Sequence, residues 1–279
     1  MHIVVTILLL FLVVFIISTL SAWFTISRSY YTAERVSSGK QYEMGGRTYI
    51  FPNIPIKGDA FILKDEFVIS LRNLLSCTGN ALDNLDVLWW LTGGSLLGAM
   101  RHDSLPMPYD DDIDVGVDFA HRELLFSETF QKEAHKHGLE VIYLFSNTLN
   151  NADRHGAAVR CQLLDTSTTY SPTMDIFFWK SDGDVVCKVD SWFTTNSKLN
   201  IVRSDNEKFK YNHVYPIQQD VNVDGLTVNL PHLPRYLLEQ QYSKKVWDVA
   251  IARPRLFSHA FIFRFFNFIW LRRPSGSTN

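Results

Sequence analysis

The chain has 279 residues, 46% hydrophobic and 20% charged, enough for one folded domain with extra segments and too apolar for a disordered protein. A formal net charge of -2 with no basic stripe excludes a nucleic-acid-binding surface. Three cysteines, Cys77, Cys161 and Cys187, have no metal-site spacing; either Cys161 and Cys187 pair in an oxidising compartment or all three are buried thiols.

Residues 1–27 contain no Asp, Glu, Lys or Arg, and Ile3 to Ile17 is almost unbroken Ile, Leu, Val and Phe. Continued to Ile26, this exceeds the roughly 20 residues of a bilayer span and predicts a transmembrane anchor, with Trp23 near the interface. A cleaved signal peptide is the rival; the long apolar run and the lack of a basic n-region favour the anchor. Residues 28–58, with Gly39, Gly45, Gly46, Pro52 and Pro55, read as a stem or linker with one short strand at Arg47 to Phe51. A catalytic domain is expected over 59–250. It opens on a helix capped by Asp59, whose Leu63, Phe67, Leu71, Leu74 and Leu75 form a core face.

The most informative stretch runs from Val87 to Asp118, VLWWLTGGSLLGAMRHDSLPMPYDDDIDVGVD. It predicts a buried strand (Val87 to Thr92), a Gly-Gly-Ser turn, a short helix (Leu96 to Arg101), a proline-punctuated loop and a second strand carrying acids. Gly93 and Gly94 allow a ligand close to the backbone and Ser95 caps the helix, an arrangement suited to phosphate. Asp110, Asp111, Asp112, Asp114 and Asp118 follow, with Ile113, Val115 and Val117 alternating among them. Side chains two apart on a strand share a face at roughly 6.5 to 7 Å, so Asp112 and Asp114 point together and repel unless a cation lies between them. Hard oxygen ligands beside a phosphate turn point to Mg2+ or Mn2+. A solvated acidic edge is the plain alternative.

Further on, His121 to His137 predicts an amphipathic helix ended by Gly138. His135 and His137 do not share a helix face, so they are read as C-terminal cations rather than zinc ligands. Strands are predicted at Val141 to Phe145, Ala157 to Leu164 and Met174 to Trp179. Hairpins follow at Asp182-Gly183 and Asp224-Gly225. Asp175, an acid inside an apolar strand, needs a metal, an arginine or backbone donors. Arg101 closes the short helix and either reaches donor phosphates or pairs with the acids. Pro231 to Val249 reads as a closing helix. The tail, 251–279, is aromatic and basic, interrupted by Arg264, so it is an interfacial or core helix rather than a second span.

GGSLLGAMRH followed by PYDDDIDVGV resembles the signature of the LicD and fukutin family, whose members are similar to polymerase-β-type nucleotidyltransferases. The resemblance covers Phe61 to Asp248, with Tyr109 where the family commonly has tryptophan. It implies an α/β fold (an α+β mixed sheet) with a nucleotidyltransferase core behind the anchor. Gly93, Gly94, Ser95 and Arg101 would bind substrate, and Asp112, Asp114 and Asp175 would act as metal ligands and catalytic acids. It further implies transfer of phosphocholine or a polyol phosphate from a CDP-linked donor to a glycan acceptor, by a domain luminal to a Golgi or other secretory-pathway membrane. Arg28 and Arg35 argue the opposite orientation by charge bias. The competing functions are a metal-dependent phosphodiesterase and a membrane-tethered glycan-binding scaffold.

Overall fold

The computed structural model describes residues 30–58, 60–145, 156–164, 171–189 and 208–251, with the single positions 14 and 18. The elements in chain order begin with five short strands, β1 (Tyr31–Arg35), β2 (Gln41–Met44), β3 (Arg47–Ile50), β4 (Ile56–Lys57) and β5 (Phe61–Leu63). The long helix α1 (Asp65–Asp83) follows, then β6 (Trp89–Leu91), α2 (Gly93–Leu97), a π turn (Gly98–His102) and β7 (Asp112–Asp118). Next come α3 (Arg122–Leu125), α4 (Glu128–Lys136), β8 (Leu139–Phe145), β9 (Gly156–Leu163), β10 (Thr173–Asp182) and β11 (Val185–Lys188). The last elements are β12 (Lys208–Lys210), α5 (Tyr211–Val214), β13 (Gln218–Val223), β14 (Leu226–Leu230), α6 (Pro234–Tyr242) and β15 (Ala250–Ile251).

The fold is mixed α/β around a seven-stranded curled sheet. β10 is its axis. One edge pairs in parallel with β7, which pairs antiparallel with β6. The other edge is shared: residues 174–177 pair with β9, backed by β8, and residues 179–182 pair with β11, backed by β12. Strand alternation then sorts the faces. Ile113, Val115, Val117, Met174, Ile176, Phe178, Val159 and Cys161 are fully buried on the face that α1 covers. Gly79 of α1 allows the closest approach, since a β-carbon there would lie 2.9 Å from the Trp89 ring. Trp90, Trp179, Val186 and Phe209 turn to the opposite face and pack with Val214, Ile217 and Leu237 under α5 and α6. The acids share that second face, at its other end.

α1 does not begin at Asp59, which lies outside the described residues. Phe61, Ile62 and Leu63 instead form β5 against β1, and Lys64 is extended (φ -71°, ψ 148°). The helix starts at Asp65 and Glu66, whose charges suit its N-terminal dipole. Its buried residues, among them Phe67, Leu71, Leu74, Thr78 and Leu82, follow the expected period.

The stretch 28–58, expected as a stem or linker with one short strand at Arg47 to Phe51, carries that strand as β3 and further packed strands from residue 31 onward. Gly45 and Gly46, both at positive φ, turn β2 into β3, and Tyr42, Met44, Tyr49 and Phe51 join the main core. β15 pairs in parallel with β4, so the end of the described chain closes on this segment. The helix expected over His121 to His137 is broken: Phe119–His121 is a 3-10 turn, and Ser127 caps a new start by accepting the Thr129 N–H at 3.2 Å. The closing helix over 231–249 is shorter too, since Ser243 at φ 70° separates α6 from a 3-10 turn at Lys244–Trp247. The two hairpins form as expected, at Gly183 and at Asp224-Gly225.

The cysteines are free. Cys161 lies opposite Met174 and Cys187 opposite Lys180, six residues apart along β10, or ~20 Å, which no disulfide spans. Among the described residues no helix is long and apolar enough to cross a membrane. The anchor expected at 1–27 and nearly all of the 251–279 tail lie outside them.

Candidate active site

Register assembles the site. Asp114 of β7 stands opposite Asp175 of β10, and Asp175 stands opposite Arg160 of β9, so the three side chains form a row on one face. Asp112, one pleat from Asp114 and opposite Thr173, extends the row toward the loop. Asp112 and Asp114 are half-buried and Asp175 is 7% exposed. At the Asp112 end the loop adds Asp110 and Asp111, which with Asp112 bring one carboxylate oxygen each within 4.8 Å of one another. Strand parity did not single out these loop acids, because alternation ends where the strand ends.

The electrostatics match that crowding. Burial first, then the charges of Asp112 and Asp175, push the Asp114 carboxyl well above the usual carboxylate range. Arg160, 5% exposed, donates Nε–H to Asp175 Oδ1 at 2.6 Å and Nη2–H to Oδ2 at 2.7 Å. Burial opposes its charge, yet the carboxylates of Asp175, Asp112 and Asp114 outweigh this and raise its pKa. Asp175 therefore has the compensation a buried acid needs, and it is an arginine. Arg160 carried no sequence signal, because nothing in its neighbourhood marks it as facing an acid 15 residues away.

The glycine turn lies directly against the acids. Gly93 has φ 53°, and a β-carbon on it would lie 3.0 Å from Asp114 Oδ2. On Gly94 a β-carbon would lie 2.5 Å from Asp110 Oδ2. The turn is already helical at Gly93, so the expected helix from Leu96 to Arg101 is α2 followed by a π turn. Ser95 is consequently not a cap. Thr92 holds the N-cap position without a side-chain hydrogen bond, and Ser95 Oγ accepts the Asp114 N–H at 2.9 Å. Tyr242 of α6 reaches the same place, its hydroxyl 3.7 Å from the Gly93 β-carbon position.

Arg101 makes its hydrogen bonds away from the acid row. It donates Nη1–H to Val246 O, Nη2–H to the Tyr109 hydroxyl and Nε–H to His102 Nε2, each at 2.8 Å. It thereby ties the acid loop to the C-terminal segment. Since Arg101 Nε can only donate, His102 Nε2 must accept, so the ring is neutral with its proton on Nδ1, bonded to the Tyr49 hydroxyl oxygen of β3. Burial, then Arg101, pushes His102 down to about 3, and burial raises Tyr109 to about 12. A cavity of about 270 Å3 lined by Arg47, Tyr49, Arg72, His102 and Asp224 lies behind this network. It contains none of the acids, and Asp224 pairs with both arginines.

The donor set is carboxylate oxygen, the chemistry a hard divalent cation requires. A mixed sheet presenting acids beside a glycine turn defines a class that family comparison makes specific. The family model described as LicD/FKTN/FKRP, nucleotidyltransferase domain, matches residues 86–232, 147 of the 279 residues, and the chain belongs to this family. The matched span holds the glycine turn, all the acids, Arg101 and Arg160. Local similarity extends to an uncharacterized protein of Rickettsia typhi, 34% identical over 55 residues, which is 20% of this chain and 18% of the relative. An uncharacterized protein of Rickettsia prowazekii is 39% identical over 49 residues, 18% of each chain. The matched stretch thus spans under a fifth of either relative.

Proposed function

We propose that the chain transfers a phospho-alcohol, such as phosphocholine or ribitol phosphate, from a CDP-linked donor to a glycan hydroxyl, on a nucleotidyltransferase-type core. The observation that carries this reading is the row Asp112, Asp114 and Asp175 on adjacent parallel strands, with Asp114 against the glycine turn. An acceptor hydroxyl oxygen attacks the phosphorus bearing the alcohol, the bond to cytidine monophosphate breaks, and the hydroxyl proton is lost to solvent. Asp112 and Asp114 would hold Mg2+ or Mn2+, with Asp175 closing the row. Bound there, the ion would offset charge on the diphosphate and acidify the attacking hydroxyl. Gly93 and Gly94 keep the turn low enough for a diphosphate to sit over the acids, and Ser95 holds the Asp114 backbone in register. Arg101 enters as the tie that shapes the loop.

The same reading keeps residues 3–26 as a membrane anchor and puts the domain in the secretory lumen. Protection of a C-terminal tag from protease in intact microsomes is the expected outcome, and digestion without detergent would reverse that orientation.

The test of the reaction is incubation of the full chain with CDP-choline, CDP-ribitol or CDP-glycerol and mixed glycans, with Mg2+ or chelator. Cytidine monophosphate should appear together with phosphorylated glycan, and only with metal. Release of free phospho-alcohol regardless of acceptor would make the protein a phosphodiesterase. Glycan binding without donor consumption would make it a scaffold.

A further inference from the structure

Tyr242 is the last residue of α6, and Ser243 at φ 70° ends the helix directly after it. Other residues hold the backbone on both sides. One turn earlier Leu238 is fully buried in the main core, and Leu237 packs with Trp90 and Trp179. Gln240 Nε2–H donates to the Lys208 carbonyl of β12. Beyond the helix, Val246 O accepts Arg101 Nη1–H at 2.8 Å, which fixes the following turn against the acid loop. The Tyr242 side chain is 39% exposed, so its ring carries little of this packing. Its hydroxyl nevertheless reaches the site. It lies 3.7 Å from the position of a β-carbon on Gly93, a point that is itself 3.0 Å from Asp114 Oδ2. The phenol oxygen and the Asp114 carboxylate thus flank one place over the glycine turn, and that place is open only because residue 93 has no side chain. An aromatic side chain with its ring partly in solvent and its polar end at such a place is set toward a ligand rather than toward the core.

We infer that Tyr242 is a substrate-binding residue of this site, its hydroxyl donating to a diphosphate oxygen of the donor where the diphosphate passes over Gly93. This rests on the CDP-linked donor of the reading above, and it names a group of the chain that touches the diphosphate. The chemistry suits the place. A phenol hydroxyl is uncharged, so it sits beside Asp114 without adding charge, and its hydrogen can rotate from one acceptor to another when a ligand arrives. A bond to an ionised phosphate oxygen is charge-assisted and stronger than one between neutral groups.

The probe is cytidine 5′-diphosphate with Mg2+, the part common to CDP-choline, CDP-ribitol and CDP-glycerol, titrated calorimetrically into the full chain. The wild-type chain should bind it. Tyr242→Phe removes one hydroxyl and keeps the ring; it should weaken binding by about tenfold or more, the scale of one hydrogen bond to a charged group. Its melting temperature without nucleotide should stay within a few degrees of wild type, because the packing residues Leu237 and Leu238 are untouched. Tyr242→Leu removes the ring as well and should bind within about threefold of Tyr242→Phe. Binding by Tyr242→Phe within about threefold of wild type would overturn the role of the hydroxyl and leave the donor reading intact. If in that case Tyr242→Leu alone loses affinity, the contact belongs to the ring and the cytosine. A weaker Tyr242→Phe that also melts well below wild type would make the hydroxyl a structural group, again overturning the assignment. No binding of the probe by the wild-type chain would overturn the donor reading and this assignment together.

Discussion

The hydroxyl of Ser95 accepts the backbone N–H of Asp114 at 2.9 Å, and the Asp114 carbonyl accepts the Thr92 N–H at 3.1 Å. Turn and acid strand are thus one bonded unit, and the position of the Asp114 carboxyl depends on a hydroxyl 19 residues earlier. Ser95→Ala leaves a buried N–H unpaired, at a cost of ~1–3 kcal/mol. Urea denaturation should show that loss, and Mn2+ affinity should fall with it. Unchanged stability would mean water replaces the hydroxyl without consequence.

Gly94→Ala tests the contact between turn and loop. Its β-carbon would lie 2.5 Å from Asp110 Oδ2, so Asp110 must move. Metal affinity should drop while the melting temperature stays within a few degrees, roughly the effect of a ~1 kcal/mol change. Gly93 is the poorer site for this test, because at φ 53° any side chain also strains the backbone.

Arg101→Met separates a structural tie from a substrate contact. The bonds to His102, Val246 and Tyr109 are lost with the longer ones to Val249 O and Met107 Sδ, and His102 Nε2 and the Val246 carbonyl lose their donor. Destabilisation of roughly 2–4 kcal/mol is expected, summing a few lost bonds. Calorimetric titration of the folded variant should give donor affinity close to wild type. A large loss of donor affinity at unchanged stability would restore Arg101 to the substrate.

His102 gives the fold an acid limit. Its folded pKa is about 3 against an ordinary 6.5, so the folded state binds the proton less readily than the unfolded chain. The stability involved is fully present above pH 6.5 and is lost as pH falls from 6.5 toward 3, up to roughly 5 kcal/mol at about 1.36 kcal/mol per pH unit. His102→Gln should flatten the stability profile between pH 6.5 and 4 relative to wild type. Parallel profiles would show that carboxylates alone set the acid limit.

Much of this was legible in residues whose neighbours in sequence are their neighbours in space. The alternation of Asp112, Asp114 and Asp118 with Ile113, Val115 and Val117 placed the acids on one face, and Asp224-Gly225 marked its own hairpin. What stayed hidden depends on cross-strand register. Arg160 meets Asp175 only because β9 pairs with that stretch of β10, and Arg101 turned inward because Tyr109, His102 and Val246 surround it. Of the N-terminal strands only β3 is legible, and the rest are hidden for a different reason. Gly45, Gly46 and the prolines drew attention as linker residues, although Tyr42, Met44, Tyr49 and Phe51 recur at the two-residue period of strands with one buried face.

The account stands or falls on the acids. Asp112→Asn and Asp114→Asn are to be compared with Asp118→Asn, which lies on the same strand and face but is bonded to the Ala120 N–H and the Tyr215 hydroxyl instead. Consumption of CDP-linked donor across a Mg2+ series is the measurement, with thermal melts in chelator alongside. Asp112→Asn and Asp114→Asn should lose turnover by about two orders of magnitude or more, as removal of a metal-binding charge from a transition state does, and melt no lower than wild type. Asp118→Asn should keep its turnover. If the first two variants turn over donor as well as Asp118→Asn, or lose activity only because they unfold, the acid row is a solvated edge and the phosphotransfer site is wrong.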